Sequence, residues 1–331
     1  MKRNLSWQIL VFSLTLLTLV TVMLAPLIGS LPIPFQSLFK SSSPAHDILL
    51  NLRMPRVVFA FLVGFSLTLV GAVFQALLRN DLATPYTLGV SSGGALGAVL
   101  AIKLGLAVSI VGLSSTVLFS MLGSLGTVFI IYLIARGQRG ISAVTLVLTG
   151  VTISLLFSSL ILFVHYLADF TETYRMIHWL MGGLQITGWI YTVILVIPVL
   201  LAAIYFMQQS RALNILTAGR ELALSKGVDL YRLQKRSFFI TALLVGMVVA
   251  LAGPIGFVGL IIPHLMRLLV GPDHRRLLFS APLVGGIFLV WCDTLARVII
   301  APAELPVGIV TAMVGGPFFI WLLIRHKKKS G

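Results

Sequence analysis

Residues 56–97 read RVVFAFLVGFSLTLVGAVFQALLRNDLATPYTLGVSSGGALG. From Val57 to Leu78 the run is apolar, broken only by Ser66, Thr68, Gln75 and small residues. It is as long as the roughly 20 residues a membrane-crossing helix needs. At Arg79 it stops for a polar turn. Asn80 and Asp81 can start that turn, and Pro85 restricts Thr84 before it. Ser91 or Ser92 is expected to cap the next helix. Gly93, Gly94 and Gly97 leave one face of it nearly bare, so a neighbouring backbone can come close. No G-x-x-x-x-G-K-[ST] pattern occurs here, so the loop is no phosphate cradle and the chain is not expected to hydrolyse ATP.

The rest of the chain has the same character. Of 331 residues, 58% are hydrophobic and 10% charged, where a soluble domain carries about 25% charged residues. Mean hydropathy is +1.07. The net charge of +15 could suit nucleic acid, but its distribution argues against that partner. Lys2 and Arg3 precede the first apolar run, Arg325, Lys327, Lys328 and Lys329 follow the last, and Arg136 and Arg139 share one short loop. These are anchors of the cytoplasmic side. The single cysteine, Cys292, allows neither an internal disulfide nor a cysteine-metal cluster. The run from Ile9 to Ile28 resembles a signal peptide, but many spans follow, so it is expected to be retained.

About ten spans are expected, near 9–29, 56–78, 92–108, 113–135, 142–166, 189–208, 237–254, 258–270, 278–298 and 307–324. The eighth, 258–270, is too short to cross as an ordinary helix unless thinned or broken, and a shorter apolar piece near 174–186 is not expected to cross. The longest polar stretch is 208–236. With both termini cytoplasmic, most basic residues fall inside and Asp47, Asp169, Glu172 and Glu304 fall outside. Lys40, Arg53, Arg56 and Arg297 break the rule, landing outside or at the outer rim. Gly253, Pro254, Gly256, Gly259 and Pro263 interrupt the seventh and eighth spans, and such breaks survive in a membrane only where protein or a water-filled cavity covers them. The chain therefore reads as all-α and polytopic, a transporter or channel.

LRMPR at 52–56, GAVFQALLRNDLATPYTLGVSSGGALGA at 71–98, GPIGFVGLIIPHLMRLLVGPDHR at 253–275 and CDTLARVIIAPAELPVGIVTAMVGGPFFIWLL at 292–323 resemble the FecCD family. These are permease subunits of ABC importers for ferric siderophores, haem and vitamin B12. The resemblance covers nearly the whole chain. It implies a single transmembrane domain over 1–331 with the type II ABC importer permease fold, in the bacterial cytoplasmic membrane. It implies two cytoplasmic ABC ATPases, which use ATP and Mg, an extracytoplasmic binding protein, and a second permease, either a copy or a similar chain. It also implies an inverted relation between helices 2–5 and 7–10, faintly echoed by LVGAVFQ at 69–75 and LAGPIGF at 251–257.

On that resemblance 208–236 holds the ATPase-coupling segment, with Gly219, Glu221, Ala223, Leu224 and Gly227 as its expected contacts. RELAL at 220–224 can start a short helix that Gly227 ends. Arg53, Arg56 and Arg297 match positions that dock acidic residues of the binding protein, since arginine pairs bidentately with carboxylates. The alternative is that Arg297 pairs with Asp293 one helical turn away, while Arg53 and Arg56 snorkel. Gln75, Asn80, Pro85, Ser91, Ser92 and Gly93 are expected along the path or its gate, although an interhelical hydrogen bond serves Gln75 equally well. Gln185 is a further amide of this kind. His264 and Arg267 suit structural hydrogen bonds. The spacing of His165, Asp169, Glu172 and His178 fits no strong metal signature, so no metal site, resident cofactor or catalytic residue is expected. Ferric siderophore is the first expectation for cargo, with haem or vitamin B12 as the alternative. An ion-gradient-driven transporter is a more distant reading, because only Asp293 stands clearly within a span and Arg297 can neutralise it.

Overall fold

The computed structural model describes residues 7–29, 44–84, 86, 89–110, 112–137, 140–141, 143–186 and 188–330. Helix α1 (Trp7–Leu24) is followed by a single 3-10 turn, Ala25–Leu27. A short helix α2 (Pro44–Asp47) and a π-helical segment, Ile48–Arg53, lead without a break into α3 (Met54–Leu78). The second span thus begins before Arg56, and Pro55 stands in its first turn, where its missing N–H costs nothing. Then come α4 (Val90–Lys103), the strands β1 (Ser109–Ile110) and β2 (Leu113–Ser114), α5 (Ser115–Ala135), the strands β3 (Arg136–Gly137) and β4 (Gly140–Ile141), and α6 (Ala143–Tyr166). The two antiparallel hairpins only close turns.

Helix α7 (Phe170–Leu180) has 11 residues, about 16 Å of helix against a hydrocarbon core of about 30 Å. It does not cross, as its sequence implied. After α8 (Ile190–Gln208) the polar segment folds into α9 (Ser210–Ala218) and α10 (Arg220–Ser225). The chain ends with α11 (Leu230–Ala252), α12 (Val258–Val270), α13 (His274–Val298) and α14 (Val307–Ser330). Helix α11 starts seven residues before the expected span, because Asp229 caps it by accepting from Arg232 N–H at 2.9 Å and its first turns are polar.

Among the described residues, seven helices are long and apolar enough to span, and α4, α12 and Val307–Trp321 of α14 are shorter apolar helices. The protein is an all-α, multi-pass membrane protein. Its centre is α3: within the 18-residue apolar stretch of Ile48–Leu78 83% of residues are buried, against 17% in the corresponding stretch of Val144–Tyr166. Around α3 stand α13, α12, α11 and α8, whereas α1, α6 and α8 turn long apolar side chains outward.

Small residues let the central helices touch. A Cβ on Gly71 would overlap the Gly259 carbonyl of α12, and one on Gly64 the Gly285 carbonyl of α13. Gly93 and Gly97 of α4 lie against the backbone of Gly123 and Phe119 on α5. The expected serine cap of α4 is corrected. Ser91 and Ser92 lie inside the helix, and its N-cap is Gly89, at φ +71°, with no side-chain cap bond. The left-handed turn there favours glycine, and Gly93 N–H already donates to the Gly89 carbonyl at 3.0 Å.

The two interruptions of the bundle meet. Residues 253–257 between α11 and α12 leave backbone groups without helical partners. Tyr86, from the turn before α4, donates its hydroxyl to the Ile255 carbonyl and accepts from Ile255 N–H at 2.8 Å. Gly183 N–H donates to the Ala252 carbonyl at 2.9 Å. Protein thus satisfies the broken backbone that lipid could not. Tyr86→Phe removes both Ile255 bonds and is expected to lower stability by about 2 kcal/mol, read as a lower unfolding midpoint in mild detergent. An unchanged midpoint would count against the bridge.

Candidate functional site

Polar chemistry gathers at the two ends of the bundle. At the end holding the start of α3, four charged groups share one network, buried at Asp293 and Arg297 and half-buried at Arg56 and Glu304. Arg56 grips Asp293 through Nε to Oδ2 at 3.0 Å and Nη2 to Oδ1 at 2.8 Å, and its Nη1 reaches Glu304 at 2.8 Å. Arg297 pairs with Asp293 at 3.2 Å and donates to the Ile28 carbonyl at 3.0 Å and to Thr294 Oγ1 at 3.1 Å. Arg53 donates to the Pro26 carbonyl at 3.2 Å, and a Cβ on Gly29 would meet its guanidinium at 2.8 Å. Asp293 is 1% exposed and Arg297 4%. The arginines that broke the charge rule therefore direct their donors into the protomer. The Asp293–Arg297 pairing considered from spacing is present, and Arg56, on a different helix, joins it. Gln185 is exposed and donates to Glu304 at 3.4 Å.

Beside this end a cavity of about 420 Å³ opens between α5, α7, α8 and α11, lined in part by Thr116, Tyr174, Arg175, His178, Trp179 and Gln185. The carboxylates near His178 serve structure. Asp169 and Glu172 form a reciprocal cap of α7 at 2.8 and 3.0 Å, and Lys103 pairs with Glu172 at 2.7 Å, which holds that carboxyl below its ordinary range. Among the described residues no group of three or more His, Cys, Asp or Glu could hold a metal ion.

At the opposite end α9 and α10 form a bent pair. Gly219 joins them at φ +148°, a conformation side chains rarely adopt, and its carbonyl accepts from Ala223 N–H at 3.0 Å. Gly227, at φ +75°, closes α10: its N–H donates to the Leu224 carbonyl at 3.0 Å, and Val228 N–H donates to the Ala223 carbonyl at 2.9 Å. That double closure is what a glycine after a helix end supplies. Ala223 is fully buried, while Glu221 and Leu224 point outward. A compact knob with an exposed apolar side chain at its tip results.

The turn after α3 lies at this same end. Asn80 Oδ1 accepts from Leu82 N–H at 2.9 Å, so the asparagine does start the turn. Gln75 accepts from Arg267 of α12 at 2.7 Å and makes a long bond to the Leu260 carbonyl at 3.4 Å, so it forms an interhelical hydrogen bond. Arg267 also pairs with Asp81 at 2.7 Å. Gly93 is buried against α5, Ser91 is buried and Ser92 half-buried. Pro85 lies outside the described residues. Sequence reasoning missed Asn214, whose α9 position carried no signal, and it gave Tyr86 and Glu304 no structural part.

The comparisons bear on the whole chain. The hemin transport system permease protein HmuU of Yersinia pestis is 37% identical, covering 91% of this chain and 91% of that protein. The vitamin B12 import system permease protein BtuC of Klebsiella pneumoniae is 37% identical, covering 99% and 96%. A solved structure described as an inward-facing conformation of a metal-chelate type ABC transporter superposes with a TM-score of 0.84 at 33% identity, covering 96% of this chain and 99% of that one. With that fold shared over nearly the whole chain and the FecCD transport family model spanning residues 17–325, the chain belongs to the FecCD family of ABC-importer permeases.

Proposed function

We propose that this permease imports a metal-containing macrocycle of the haem or vitamin B12 class, ahead of the ferric siderophore that the family resemblance first suggested. The observation that carries this reading is the near full-length likeness to permeases named for hemin and vitamin B12. In this reading cytoplasmic ATPases engage α10 through Glu221 and Leu224, with Gly219, Ala223 and Gly227 shaping the knob. Asn80 of the α3–α4 turn, Pro85, and Ser91, Ser92 and Gly93 of the first turns of α4 border the inner gate. A binding protein docks at the end holding Arg53, Arg56 and Arg297, a second permease completes the path, and both termini are cytoplasmic. The burial of those arginines means that docking acts on an assembled network and not on free charges. An ion-gradient mechanism is disfavoured by the same geometry, since Asp293 is held by two arginines.

Uptake of labelled hemin, vitamin B12 and iron on several siderophores, in cells lacking the chain and in restored cells, tests the cargo. Rescue limited to a siderophore would reverse the ranking. The ATPase contact has its own test. Leu224, 57% exposed, is expected to act as an apolar anchor, so Leu224→Asp should weaken ATPase co-purification at least about tenfold, the scale of an interface anchor, while the permease still inserts. Undiminished co-purification would remove Leu224 from the interface.

A further inference from the structure

The end that carries α10 holds two polar clusters, on either side of the α12–α13 turn, that caps alone do not require. Asn214 of α9 belongs to the first. Its Nδ2 donates to Asp273 Oδ1 at 2.8 Å, and its Oδ1 accepts from His274 N–H at 2.8 Å. The same Oδ1 lies 2.8 Å from His274 Nδ1. Since that oxygen only accepts, Nδ1 carries the proton, and Nε2 is buried with no hydrogen-bond partner among the described residues. Asp273 already caps α13 through Arg275 N–H at 2.9 Å. The Asn214 bond holds its carboxyl below the ordinary range. Asn214 thus ties α9 to the turn joining α12 and α13.

Arg267 stands on the other side of that turn, in the last turn of α12. It reaches Gln75, near the end of α3, and Asp81, in the α3–α4 turn, at 2.7 Å each. Between the two sets of contacts lies a cavity of about 200 Å³, lined among others by Gln75, Asp81, Thr217, Arg267 and His274. Close-packed apolar cores resist displacement. A polar junction with a cavity and a half-exposed ion pair can exchange partners, which is what a two-position element needs.

We propose that Asn214 and Arg267 are positioning residues that carry movement of α9 and α10 through the α12–α13 turn to the α3–α4 turn. The relay rests on the reading that α10 engages the ATPase. The nucleotide-driven shift of the knob pulls Asp273 and His274 by way of Asn214. The shift of α12 then moves Asp81 and Gln75 by way of Arg267.

The test uses the full chain assembled with its ATPase, carrying Leu82→Cys as a reporter in the α3–α4 turn. Leu82 is 51% exposed and the native Cys292 only 3%, so maleimide reads the added thiol. ATP trapped with vanadate is expected to change the labelling rate about fivefold in the parent, and Asn214→Ala or Arg267→Gln to reduce that response to below about twofold, a shift within the range of coupling-residue effects. ATP hydrolysis by the complex should persist, and Arg267→Lys, which keeps the Asp81 pair, should restore part of the response. A purely structural role would lower assembly and hydrolysis together and leave the nucleotide response of the surviving complex intact, and that result overturns the relay. So does a parent whose labelling ignores nucleotide. Failure of the ATPase to bind the parent chain at all would overturn the coupling reading of α10 itself, and the relay with it.

Discussion

Asp293→Ala is expected to lower the stability of the protein by about 3–5 kcal/mol, the cost of breaking a buried ion pair by removing one partner. Asp293 is the shared carboxylate of Arg56 and Arg297, and it is 1% exposed. Without it Arg56 retains Glu304 at 2.8 Å, and Arg297 retains only neutral acceptors, the Ile28 carbonyl and Thr294 Oγ1. Two guanidinium groups then face each other with their common counter-charge gone. Asp293→Asn keeps an acceptor but not the charge, and should fall between. Replacing Arg56, Asp293 and Arg297 together by Leu and Met of similar volume should recover much of the loss, because the charge that loses its arginine, Glu304, is 28% exposed and can be met by water. Thermal unfolding in mild detergent checks all three variants. A loss below about 1 kcal/mol for Asp293→Ala would place the network in the weak, solvated class of ion pairs.

The second large effect is steric. Gly71→Val should lower stability by about 3 kcal/mol or more, at the upper end of overpacking costs, and reduce the yield of inserted protein. A Cβ at this position meets the carbonyl, Cα and carbonyl carbon of Gly259, all backbone atoms of α12. No flexible side chain can give way, so α3 and α12 would have to part along their length. Gly71→Ala should already be costly. Gly126→Ala on α5 is the control, because nothing lies within 4 Å of its added Cβ. It should be neutral or stabilising by up to about 1 kcal/mol, the helix preference of alanine over glycine. Equal behaviour of the two alanine variants would mean that the α3–α12 contact is looser than the structure has it.

Much of the fold was legible because lipid leaves the chain few options. Each apolar run must close its own hydrogen bonds as a helix, so spans such as 142–166 and 307–324 fall where the helices do. The short α10 and its ending at Gly227 were legible for a local reason too: a helix end needs a left-handed residue to satisfy its last carbonyls. The α4 cap was misread because serine and left-handed glycine both serve helix starts, and only the path of the incoming turn selects between them.

Sequence by itself determined that this chain lives in lipid, where it crosses, where its crossings break, and which family of transport permeases it resembles. Those features depend on composition and short-range pattern. Tertiary structure decided what the charged and polar side chains do. Arg56 meets Asp293 across 237 positions of sequence and Gln75 meets Arg267 across 192, separations at which no local periodicity operates. Tyr86 closes a backbone gap 169 residues away. A buried polar group must find whichever partner the packed helices bring within about 3 Å, and packing alone sets that choice.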